Sequence, residues 1–136
     1  MIRGKNGDLL HVILRAWDEQ PIERYDVCDE AEFLQVARIK PKRGTQYPAH
    51  KHITNKRNVA LTQECWVVMR GSVRAHYYDS DGRKLRDDLL TAGDVSVTLR
   101  GGHAYEIVEE NTLVIEVKNG PYVGRDADKT EISASV

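Results

Sequence analysis

Two histidines one residue apart, His50 and His52 in "PAHKHIT", precede an acid, Glu64, at the head of the apolar run "ECWVVMR". A third histidine, His103, follows the glycine pair Gly101-Gly102. Histidines at i and i+2 of an extended strand project to the same face, so His50 and His52 can share one ion. Neutral imidazoles with a carboxylate suit a divalent first-row metal, provided three or four donors converge. His50, His52, Glu64 and His103 are therefore the candidate ligands of one divalent transition metal. Zinc, iron, manganese and nickel all fit that donor set. The competing reading is a pocket that keeps the histidines as hydrogen-bonding groups. Three imidazoles and a carboxylate would leave one or two coordination positions open for water or substrate oxygens.

Tyr105 alternates with His103 and shares its face, either as a proton donor or as a packed phenol. Trp66 shares the face of Glu64 along its strand. If that strand is shifted by one residue, Gln63 takes the place of Glu64. His76 falls on a polar face beside Arg74 and is set aside as solvent-facing. His11, with apolar neighbours, reads as a structural histidine. Cys65 should point away from Glu64, which disfavours a thiol-based site.

Short β-type runs separated by turn signals must carry these residues. "LLHVILRAW", "EFLQVARIK", "ECWVVMR", "VRAHYYD", "DVSVTL", "HAYEIV" and "TLVIEVK" are rich in strand formers. In "VRAHYYD", Val73, Ala75 and Tyr77 form one face and Arg74, His76 and Tyr78 the other. Asp81-Gly82 marks a hairpin. Gly93-Asp94, Gly101-Gly102 and Glu109-Glu110-Asn111 mark further turns, and Gly120-Pro121 ends the regular part. Only "DVCDEAEFL", with acids near its start, is suited to a helical turn. Eight or more short strands at such spacing predict an all-β sandwich or barrel.

The chain has 136 residues, fitting a single domain, and its formal net charge is −1. That balance gives no footprint for nucleic acid or an anionic membrane, so neither is expected as a partner. No apolar run is long enough for a signal peptide or a bilayer span, and a cytoplasmic location is expected. Cys28 and Cys65 form no C-x-x-C pair and are expected as reduced, partly buried thiols.

The order of residues resembles the cupin superfamily. Its first motif, G-x5-H-x-H-x3-4-E-x6-G, finds Gly44, His50, His52, Glu64 and Gly71 here, with eleven residues between His52 and Glu64 in place of three or four. Its second, G-x5-P-x-G-x2-H-x3-N, finds Gly93, Gly101 and His103. Leu99 stands at the proline position, His103 comes one residue early, and the final asparagine is absent. The resemblance spans residues 40–118. It implies a double-stranded β-helix (jelly-roll barrel) over the single domain 1–136, with a barrel core at 33–118 and an extension at 119–136.

"LTQECWVV", "GGHAYE" and "EVKNGPYVG" resemble the small single-domain cupins found with surface-sugar biosynthesis, described as sugar isomerases. That likeness implies a metal-binding protein acting on a small polar substrate, such as a sugar or sugar phosphate, in an isomerase or epimerase type of reaction. It also implies a homodimer. Two alternatives stay open: a metal-free nucleotide-sugar epimerase or ketoisomerase, with a histidine as base and Tyr105 as acid, and a non-catalytic ligand- or metal-binding module.

Overall fold

The structure, a computed structural model, describes residues 1–18 and 22–133. Ten strands form among them: β1 (Ile2–Arg3), β2 (Leu9–Leu14), β3 (Arg24–Asp26), β4 (Ala37–Ile39), β5 (Glu64–Arg70), β6 (Ser72–Tyr78), β7 (Lys84–Thr91), β8 (Val95–Thr98), β9 (Gly102–Ile107) and β10 (Leu113–Lys118). The one helix, α1 (Arg125–Asp128), is four residues long. The expected all-β class holds. The last three residues of the expected 119–136 extension lie outside the described residues.

Every pairing is antiparallel, in a five-stranded sheet ordered β1-β2-β8-β5-β10, a three-stranded sheet ordered β7-β6-β9, and the small pair β3-β4. Alternation along the strands divides the apolar residues between two clusters. Val73, Ala75 and Tyr77 on β6 and Leu90 on β7 pack against Ile2 and Val68 of the larger sheet, joining the two sheets through a shared core. The opposite parity of the larger sheet, including Val12, Leu14, Cys65 and Val97, is covered by Val27, Cys28, Tyr25, Leu34 and Val36 from the β3–β4 region. The larger sheet thus takes in β2, which precedes the 33–118 stretch in the chain.

Turn chemistry sets the hairpins. Gly82 (φ +85) closes β6 to β7, where the Asp79 carbonyl accepts the Gly82 N–H, and Asn111 (φ 59) tops the turn from β9 to β10. "DVCDEAEFL" forms no helix. There the Gln35 side-chain amide takes the carbonyls of Asp29 and Glu32, and the Asp29 carboxylate caps the Ala31 N–H. The residues close into turns on their own side chains.

A second expectation fails between β4 and β5. Residues 40–63 hold no strand, and every side chain from 39 to 61 is exposed. Pro41 and Pro48 remove backbone donors, and polar and cationic residues leave too little apolar surface to offset ordering. His50 and His52 therefore lie on an irregular segment and not on a strand. The segment is tied down at its end, where the Asn119 side chain bonds the Leu61 carbonyl and the Gln63 N–H.

Candidate active site between the sheets

Strand register places the polar residues of the site in two rows across the larger sheet. One row runs His11–Thr98–Glu64–Lys118 and the next Ile13–Ser96–Trp66–Glu116, through β2, β8, β5 and β10. Across from them, on β6 and β9, His103 is the register partner of Tyr77 and Tyr105 that of Ala75. Period-two alternation makes all these side chains converge on the space between the sheets. Gln63, the alternative to Glu64, points the other way. Its amide donates to Glu32, and its carbonyl oxygen accepts the Leu34 N–H at 2.8 Å.

Glu64 is 4% exposed, and its Oε1 stands 3.1 Å from His103 Nε2. Burial alone would raise the Glu64 pKa. The hydrogen bond and charge of His103, with the charges of Lys129 and Lys118, outweigh it and hold the carboxyl below its usual value. An ionised carboxylate only accepts, so Nε2 carries a proton, and in the neutral form of the ring the lone pair falls on Nδ1. Nδ1 is buried and has no hydrogen-bond partner among the described residues.

Tyr105 lies beside this pair, with ring centroids 5.2 Å from His103 and 3.9 Å from Trp66, on which it stacks. The Trp66 indole N–H donates to Glu116 at 3.2 Å. Burial, only partly offset by hydrogen bonds with Ser96 and Thr98, pushes the Tyr105 phenol up, so it keeps its proton throughout the physiological range. Ser96 Oγ lies 3.2 Å from Tyr105 Oη and 2.8 Å from Tyr77 Oη.

His11 is the structural histidine its apolar neighbours suggest. Fully buried, it donates from Nε2 to the Tyr78 carbonyl and accepts at Nδ1 from Thr98 Oγ1, each at 3.1 Å. Burial lowers its pKa to about 4, so it is neutral. Cys65 and Cys28 are free and buried in the cluster on the far face of the sheet, away from Glu64. His76 binds Asp87 at 2.7 Å on the outer face of the smaller sheet, and Glu106 pairs there with Arg74.

Of the four candidate ligands, the fold joins Glu64 and His103. His50 and His52 stand together, with ring centroids 5.3 Å apart, but exposed on the irregular segment. Among the described residues no group of three or more His, Cys, Asp or Glu side chains could hold a metal, so the two pairs do not form one donor set here. The sequence reading did not assign Ser96, Thr98, Tyr77 or Lys118 to the site. The polar parity of "VSVT" was the available signal, ambiguous until burial is known. No helix among the described residues is long and apolar enough to cross a membrane. The chain matches no known family model, no curated protein and no solved structure.

Proposed function

We propose that this protein is an enzyme that shifts a proton on a small carbohydrate-like substrate, with His103 as base and Tyr105 as acid. This is the metal-free isomerase or epimerase among the readings that the cupin resemblance implies. One observation carries it: Glu64 takes up Nε2 of His103, while Nδ1 has no hydrogen-bond partner among the described residues and lies beside a phenol that stays protonated. In the reaction, Nδ1 takes the proton from the carbon next to a carbonyl while Tyr105 gives its proton to the carbonyl oxygen, forming an enediol. Return of the proton to a neighbouring carbon, or to the opposite face, completes the isomerisation, and Tyr105 regains its own. Nδ1 is shielded from solvent, so a neighbouring side chain must shift to admit substrate.

A phosphorylated or nucleotide-linked sugar is the favoured substrate class. Residues 40–63 carry Lys40, Lys42, Arg43, Lys51, Lys56 and Arg57 and no acid, which suits an anionic group. The finer architecture, a double-stranded β-helix, belongs to the same proposal, supported by two antiparallel sheets sharing one core. So does the homodimer, supported by the exposed Leu113, Ile115 and Val117 of edge strand β10.

The test is solvent-deuterium exchange at sugar α-carbons, followed by NMR over sugar phosphates and nucleotide-linked keto sugars. Exchange should fall at least about 100-fold in His103→Asn and in Tyr105→Phe. Exchange untouched by both substitutions would end the proposal, and tight retention of a sugar without any exchange would favour the binding module.

A second reading keeps a metal, favoured by the unpartnered Nδ1 of His103 and the pairing of His50 with His52. It requires residues 40–63 to close over the site. Elemental analysis of untagged protein decides: near-stoichiometric metal in the native protein, lost in both His50→Ala and His103→Ala, would establish it.

A further inference from the structure

Beyond β10 the chain returns to the site and is fastened on both sides of it. On one side the hydroxyl of Thr62, two residues before Glu64, donates to the Asp128 carboxylate. On the other, Ile132 is seated on two glycines. A Cβ on Gly102, the residue before His103, would collide with Ile132 Cδ1, and one on Gly82 would stand 3.2 Å from Ile132 Cγ2. Residues 128–132 therefore form a strap from the start of β5 to the start of β9, the two strand ends where Glu64 meets His103.

The acids of this strap are engaged. Asp128 accepts from Thr62, and Glu131 pairs with Arg125 at 3.0 Å. Lys129 stands between them, exposed and without an ion pair among the described residues. Its charge nevertheless acts on the Glu64 carboxylate, as does that of Lys118, the register partner of Glu64. Lys118 is already held, by Glu116 at 3.0 Å and over the Tyr122 ring at 5.0 Å. Glu64 is itself taken by His103. Lys129 thus brings to this mouth a cation with no counter-ion of its own, and an ammonium on a flexible stem binds a phosphoryl group as a point charge.

We infer that Lys129 is a specificity-determining residue: the C-terminal strap carries it to the site, where it holds the phosphoryl group of the substrate while the sugar carbons lie at His103 and Tyr105. The inference rests on the isomerase reading above and assigns the contact that selects a phosphate- or pyrophosphate-bearing sugar. The cations of residues 40–63 lie on an exposed segment and supply attraction at longer range.

Anion binding can be read without turnover. Inorganic phosphate and pyrophosphate are titrated into the full chain, and amide NMR follows residues 102–103 and 128–132. Both stretches should shift together in the native protein. Lys129→Gln should weaken binding at least about tenfold, Lys129→Arg by less than about threefold, and Lys56→Gln by less than about twofold. A preference for phosphate assigns sugar phosphates, a preference for pyrophosphate assigns nucleotide-linked sugars, and either supports the inference. Thermal unfolding checks that the variants fold.

Unchanged affinity in Lys129→Gln overturns the inference, as does an equal loss in Lys56→Gln or the absence of binding by the native protein. A lower unfolding temperature with anion binding intact would make Lys129 a counter-charge to Glu64 and overturn it too. Should Lys129→Gln lose the anion while the native protein exchanges no sugar proton, the anion site stands and the isomerase reading fails. Where exchange does occur, Lys129→Gln should raise KM for the phosphorylated sugar with little change in kcat. An unchanged KM would leave the isomerase standing and remove Lys129 from it.

Discussion

His103 Nε2 lies 3.1 Å from Glu64 Oε1, joining strand β9 of the smaller sheet to β5 of the larger one across the core. The pair does two things at once. It ties the sheets together at a polar end of the interior, and it decides which imidazole nitrogen keeps a lone pair. Both follow from a carboxylate that is almost fully buried yet held ionised by the imidazole beside it.

Replacing Glu64 by Gln keeps the shape but allows the side chain to donate as well as accept, so the His103 tautomer is no longer fixed. Proton exchange at substrate carbon should drop about 100-fold or more. Two-dimensional ¹⁵N NMR of the imidazole should show protonation shared between Nδ1 and Nε2 in place of a single Nε2–H form. A variant that keeps one tautomer would separate Glu64 from this role.

His11 makes stability depend on pH. Its pKa is about 4 in the fold and near 6.5 in the unfolded chain, so between these values only the unfolded chain binds the proton. The stabilisation is complete above pH 6.5 and is lost as pH falls toward 4, amounting to about 3 kcal/mol across that window. Urea unfolding at pH 4.5 and pH 7 should show most of this difference in the native protein and a much smaller one in His11→Gln. An equal pH slope in both proteins would assign the dependence elsewhere.

Leu90 is fully buried where β7 packs against the larger sheet. Leu90→Ala should cost about 2–5 kcal/mol, because the cavity it leaves is bordered by strands that cannot collapse into it. Chemical denaturation should record this as a lower midpoint with an unchanged slope. A loss below about 1 kcal/mol would mean that the two sheets repack freely.

Gly101 has a φ of +78, and a Cβ there would stand 2.5 Å from the Tyr78 carbonyl and 3.1 Å from His11 Nε2. Gly101→Ala should therefore destabilise by more than about 1 kcal/mol. It should also disturb the bond between His11 and Tyr78, which works against burial by favouring the protonated ring, so the His11 pKa should fall further by NMR. Gly7 has a similar φ with open space around it, so Gly7→Ala should cost less and leave His11 unmoved.

Strand content, hairpin positions and inward faces were legible in the sequence because they depend on local periodicity and turn chemistry. "ECWVVMR" became β5 from Glu64 to Arg70, and Val73, Ala75 and Tyr77 share the buried face that their alternation indicates. The same alternation put Tyr105 with His103, Trp66 with Glu64, and Cys65 on the far side. Local signals failed where side chains compete with the backbone, as in "DVCDEAEFL", and where too few apolar residues hold a segment down, as in residues 40–63.

Which acids and bases meet is a matter of long-range register, and only the tertiary structure decided it. The spacing of His50, His52, Glu64 and His103 suggested one donor set. The fold brings Glu64 and His103 together and leaves the two neighbouring histidines on an exposed segment. Ser96 and Thr98 look like a solvent-facing parity in "VSVT". They are core residues because the smaller sheet covers that face and supplies the phenol that bonds Ser96. Alternation says which side chains share a face, whereas pairing between distant strands says what that face meets.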